Sequence, residues 1–256
     1  MKTCIAVVLL LFGGMCFAQI PPQTGTAYPD SEADAAWRGL AAGYVRQALK
    51  DRTLDRDGIL NARVDAVMAT VGAAVAAIDA RFAHASWHAI LISDFGYGAA
   101  AFPGETIIVD ASFVRTLQLN DDELALILAH EAAHVVAGHA AVKLSFMAEF
   151  LGKEKVPNAR TALLEFFAND AYAAVYQPRA EMQEREADSL GAAIFFATGY
   201  DARRALRVFD KLADLETREE RHDLDSHDIA TARKRAISGV LADLQRLHTQ
   251  RESKPQ

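Results

Sequence analysis

Leu128-Ala129-His130-Glu131-Ala132-Ala133-His134 is the stretch on which the fold and the chemistry of this chain turn. It sits in an apolar segment with Leu124, Ile127 and Val135, opened by Asn120 and, three residues later, Glu123, the pattern of a helix start. The spacing predicts one helix from Asn120 to about Leu151. Residues four apart on a helix share a face, with Cβ atoms about 5–6 Å apart, so His130 and His134 can grip one ion. Glu131 lies on the flank of that face, where its carboxylate can reach a water on the metal without binding the metal. Two imidazoles and a carboxylate would be costly to bury unpaired in so apolar a helix. The competing reading is a solvated helix face carrying unrelated His and Glu.

Working outward, the upstream half predicts a helix from Asp30 to about Leu49 and a second from Gly58, with Leu60, Val64, Val67, Met68, Val71, Val75 and Ile78 on one face. Trp87–Asp94 and Thr106–Asp110 read as strands joined by a Gly/Ala-rich connection. Downstream, helices are expected over Asn158 to about Tyr176, ending before Pro178, then Ala180–Thr198 and Ala202–Leu215. A charged loop from Thr217 to Asp225 precedes the last helix. There is no internal repeat or linker, so residues 30–250 are expected to form one α+β domain, mainly helical, with a small sheet beside the motif helix and a polar tail at 251–256.

The 256 residues are 51% hydrophobic and 24% charged, which excludes intrinsic disorder. A net charge of −7 excludes the basic footprint of a nucleic-acid partner. Lys2, the apolar run Ile5–Phe12 and the small residue Ala18 predict a secretory signal peptide over residues 1–18, followed by a Pro-rich lead-in at 19–29. The 14 residues from Ile5 to Ala18 fall short of the roughly 20 that cross a bilayer, which favours cleavage over a retained anchor. Both cysteines, Cys4 and Cys16, fall in that segment, so the mature chain has neither disulfide nor thiol chemistry. A periplasmic enzyme is the expectation, with no transmembrane segment after cleavage and peripheral membrane association left open.

A catalytic zinc takes three protein ligands and keeps one position open. The spacing HExxHxxGxxH would need Gly at 137 and His at 140, but both are alanine, so His139 is expected to pack or to support a ligand. Glu184-Arg185-Glu186-Ala187-Asp188 offers another source: Glu184 and Asp188 share a helix face, and Gly191, near the next turn, permits close helix approach. Glu184 can complete the metal site and Asp188 can accept the free ring N–H of a ligating histidine. Read alone, the same residues also fit a charged exposed face.

His130-Glu131-Ala132-Ala133-His134, then Glu184-Arg185-Glu186-Ala187-Asp188-Ser189-Leu190-Gly191, then Gly199-Tyr200-Asp201 at the next helix start, resembles the HtpX/BepA-type zinc metallopeptidases, bacterial relatives of the CAAX prenyl protease. The likeness runs from about Trp87 to Arg233. It implies Glu184 as third ligand to one Zn2+ per chain. It also relates Ala101–Val109 to the family's edge strand, with Ala100 where asparagine is usual, so Thr106, Ile107, Ile108 and Val109 are expected to bind extended substrate. His227 and Arg233 match the family's His-Pro-x-x-x-x-Arg apart from Asp228 in place of proline, and the likeness implies donors to the reaction oxyanion. Without it they read as a loop histidine and a solvated helix residue. The expectation is a zinc endopeptidase acting on unfolded envelope polypeptides, against the alternative of a non-catalytic, zinc-stabilised assembly factor.

Overall fold

The computed structural model describes residues 26–218 and 224–253, with backbone only at 216–218, 224–229 and 252. The expected signal peptide and most of the lead-in lie outside the described residues. The chain enters helix α1 (Asp30–Asp51), then α2 (Gly58–Ile78), whose first N–H groups at Ile59 and Leu60 are capped by the Asp57 carboxylate. By length and composition α2 could cross a membrane, yet Val64, Val67, Met68, Val71 and Val75 are buried in the protein. It is the central packing post, as its one-sided apolar spacing predicts.

Strands β1 (His88–Ile92), β2 (Ala99–Phe102) and β3 (Thr106–Asp110) form a sheet in the order β1-β3-β2. β1 runs parallel to β3, with His88 opposite Thr106, and β2 folds back antiparallel, with Ala99 opposite Val109. This corrects the expectation that Thr106–Val109 is the substrate-facing edge: β3 is the middle strand. Ile107, Ile108 and Val109 are essentially inaccessible, and such a run needs neighbours on both sides. The edge is β2, turned back onto β3 through Gly104 (φ 87°) and Glu105 (φ 55°), both left-handed.

After α3 (Ala111–Thr116) comes the motif helix α4 (Asp121–Val136), started by a complete Asn120–Glu123 capping box. The expected single helix to Leu151 is instead two. Gly138 takes a left-handed φ of 71°, and α5 (His139–Leu151) leaves at 49° to α4. A second correction lies at Asn169, which ends α6 (Ala159–Ala168) and whose side chain accepts the Ala171 N–H to start α7 (Asp170–Thr198). α7 passes unbroken through Pro178, because the carbonyl freed four residues earlier belongs to exposed Ala174 and can bond to water. α8 (Ala202–Ala205), α9 (Arg207–Arg218) and α10 (Leu224–Glu252) complete the described chain.

Two large apolar clusters result, beside a small third around Ala193 and Leu244. One joins α2, α4, α7 and one sheet face. The other is richer in aromatics and joins Trp37, Phe102, Phe146, Phe166 and Tyr176 from α1, β2, α5, α6 and α7. A cleft of about 1870 Å3 runs between them, lined by β2, α4, α5 and α7.

Candidate active site

α4 and α7 cross through small residues. Ala125, Ala129, Ala132 and Ala133 on α4 and Ala187 and Ala192 on α7 are all but inaccessible. At Gly191 the approach is closest: a Cβ there would lie 2.8 Å from the His130 Cα and 3.2 Å from the Ala129 carbonyl oxygen. The close approach expected of Gly191 is therefore present, and it brings the Glu184–Asp188 face of α7 against the histidines of α4.

His130, His134 and Glu184 come together. His130 Nε2 lies 3.1 Å from His134 Nε2 and 3.3 Å from Glu184 Oε2, and His134 Nε2 lies 3.5 Å from Glu184 Oε1. Bonds of about 2.0–2.2 Å in a tetrahedral zinc site set the donors about 3.3–3.6 Å apart, so this trio fits such an ion. It is the only set of three such donors close enough to hold a metal among the described residues.

The outer ring nitrogens explain why the inner ones converge. His130 Nδ1 is 3.1 Å from Asp188, a carboxylate that can only accept, which leaves a lone pair on Nε2 when the ring is neutral. On the other histidine the support is indirect. His139 donates through Nε2 to Glu186 at 3.2 Å, so its Nδ1 accepts from His134 Nδ1–H at 2.8 Å and His134 Nε2 is freed. His139, expected to pack or to support a ligand, is packed at 6% exposure and bonded to the His134 ring. Glu186, at 38% side-chain exposure, was legible only as part of a charged face.

Electrostatics without a metal follow from this packing. Burial opposes charge on His130, but its bonds to Asp188 and Glu184 prevail and raise its pKa to about 9. His134 is lowered to about 3 by burial and by the charge on His130. Burial works against the Glu184 carboxylate too, yet its bond to His130 holds it at about 2. Glu131 is raised by burial and by the Glu184 charge, while the Ala101 main-chain N–H of β2 acts against the rise.

Arg233, on α10, donates through Nε and Nη2 to Asp188 at 3.0 and 2.8 Å and stands 3.8 Å from Glu184. Its guanidinium also stands 3.4 Å from the His130 ring, at a position that reads from the sequence alone as a solvated helix residue and that the resemblance made an oxyanion donor. The His227 side chain lies outside the described residues. Lys143, which no motif marked, lines the cleft one turn beyond His139; a lone lysine in the apolar run Ala140–Ala148 was the available signal.

A histidine pair on one helix, a carboxylate from a second helix packed tightly across it, and an open strand edge along the same cleft define a metallopeptidase-type domain. The chain matches the model of peptidase family M48 over residues 61–241, from α2 into α10, and it belongs to that family. No curated protein matches the chain.

Proposed function

We propose that the chain is a zinc-dependent endopeptidase in which His130, His134 and Glu184 hold the ion. The observation that carries this reading is the donor triangle of 3.1, 3.3 and 3.5 Å, with Glu131 on the same helix. Zn2+ in that triangle supplies Lewis acidity, polarising the scissile carbonyl and acidifying a water toward about pKa 7. Glu131 takes the proton from the attacking water and returns it to the leaving amine; the burial that raises its pKa suits it to both transfers. Asp188 and His139 hold the two imidazoles in the ligating tautomer. Arg233 fixes Asp188 and brings positive charge toward the oxyanion that forms on water addition.

Substrate is taken as an added strand along β2, so recognition rests on backbone bonds that many sequences can make. That mode suits unfolded polypeptides. The basic, apolar and small-residue leader supports export, and hence envelope proteins as the substrate pool. A non-catalytic assembly factor is the weaker reading, because holding a carboxylate in the cleft beside the histidines, where its pKa is pushed up, costs stability that a scaffold has no reason to bear.

The deciding experiment pairs metal content with casein cleavage in wild type and Glu131→Gln. About one zinc per chain in both proteins, with cleavage reduced by about 10²–10⁴ in the variant alone, is expected. Equal cleavage by the two proteins overturns the assignment.

A further inference from the structure

Lys143 is half-buried in the cleft wall and is held by rings instead of by acids. Its Nζ stands 4.9 Å from the centre of the Phe166 ring, 5.6 Å from those of Trp37 and Tyr176, and 5.9 Å from that of Phe167. These rings come from α1, α6 and α7, so the arrangement is tertiary and not an accident of one helix. Among the described residues Lys143 makes no ion pair and no hydrogen bond, and Glu184 acts on it only as a more distant charge. Burial pushes its pKa down, the sign of an ammonium that has lost water without gaining a counter-charge.

Cation–π contacts orient such an ammonium but neutralise none of its charge. An incoming carboxylate therefore finds a donor already desolvated and aimed, where a charge-assisted bond is strongest. The position along the cleft is also informative. Trp37 packs edge-on against Phe102, the last residue of β2, with ring centres 6.4 Å apart. Trp37 thus joins the Phe102 end of β2 to the Lys143 cage, and all three residues line the one cleft. On the other side, Lys143 lies on the same face of α5 as His139, which touches His134.

We propose that Lys143 and its four rings form a subsite for a substrate carboxylate, either an Asp or Glu side chain or the chain's own terminal carboxylate. The inference rests on the peptidase reading for its meaning, since it gives that reading a specificity: acidic or C-terminal segments of extended polypeptides.

The test measures binding and cleavage separately. Four pools of fluorescent random decapeptides are used, with Glu as the only charged side chain or with Gln in its place, each with a free or an amidated C-terminus. Affinities are measured with zinc-loaded Glu131→Gln protein and with the same protein carrying Lys143→Met or Lys143→Arg. The expected result is about tenfold tighter binding of one anionic class over the neutral amidated pool. That preference should fall within about twofold in Lys143→Met and survive in Lys143→Arg. Preference for Glu assigns the site to side chains, and preference for the free terminus assigns it to chain ends. Equal affinity for all pools, no binding of any pool, or a preference that persists in Lys143→Met overturns the proposal. Should the preference hold while wild type cleaves none of the pools, the peptidase reading fails and the carboxylate subsite stands.

Discussion

The α4–α7 seam and the aromatic layer of α1, α5 and α6 solve opposite problems on the two sides of one cleft. In the seam, alanines and Gly191 bring two backbones almost into contact, and the side chains around the proposed metal site have their partners: His130 with Asp188, His134 with His139, Asp188 with Arg233. In the aromatic layer rings pack mainly on rings, a lysine is left without an acid, and Leu164 and Phe167 stay about half exposed. The seam can hold a reaction geometry because nothing in it can move alone. The layer instead keeps apolar surface open to the cleft, as at half-exposed Phe167.

Gly191→Ala tests the seam most severely. The added Cβ meets the His130 backbone at 2.8 Å, so α7 must retreat and carry Glu184 away from the histidines. The expected cost is about 1–3 kcal/mol in stability, with activity lower by about 10²-fold or more from misplacement alone. Calorimetry and zinc analysis of the purified variant check both. If Gly191→Ala retains full zinc and cleavage, the seam is more compliant than its geometry implies.

His139→Gln should weaken zinc about 10–100-fold, the usual cost of removing the group that orients a ligating histidine. Competition with a chelating dye reads this directly. Unchanged affinity would mean that His134 needs no help in choosing its tautomer.

The seam also sets what zinc must displace. Near pH 7 His134 is already neutral and Glu184 already ionised, whereas His130 carries a proton up to about pH 9. Zinc binding should therefore release about one proton at pH 7, fading above pH 9, measurable by titration calorimetry in buffers of different ionisation heat. In the metal-free protein the sign is the complement. The raised His130 value lends stability that is complete below its unfolded pKa of 6.5 and is lost as pH climbs through 9, so the melting temperature should fall over that interval. His130→Gln should flatten the fall.

What the sequence disclosed of these two regions follows from the range over which each is encoded. His130, His134, Glu184, Asp188 and Gly191 announce themselves by intervals of three and four, because a helix turns local spacing into a shared face. β2 stayed hidden because Ala99, Ala100 and Ala101 have little preference for strand, and their pairing is imposed by the turn at Gly104 and by β3. The break at Gly138 and the passage through Pro178 misled for one reason: what a glycine or a proline does to a helix depends on where the chain must go and on whether a freed carbonyl meets water. The Lys143 cage was invisible because its rings, from Trp37 to Tyr176, come from three helices, the first far in the sequence from the other two.

The smallest expected effect lies on the outer face of the aromatic layer. Leu164 is 56% exposed between buried Leu163 and Phe166, so its side chain makes few of the contacts that a tight core would take away. Leu164→Ser should change stability by no more than about 0.5 kcal/mol, about 1–2 °C in a domain of this size. The drop expected for Gly191→Ala is several times larger, although that change adds one methyl and this one removes most of a side chain. The inequality is the content of the comparison: where backbones touch, a single carbon is felt, and where rings face solvent, several are not. A fall of many degrees for Leu164→Ser would show that this face is as closely packed as the seam, and the division of labour between the two walls of the cleft would go with it.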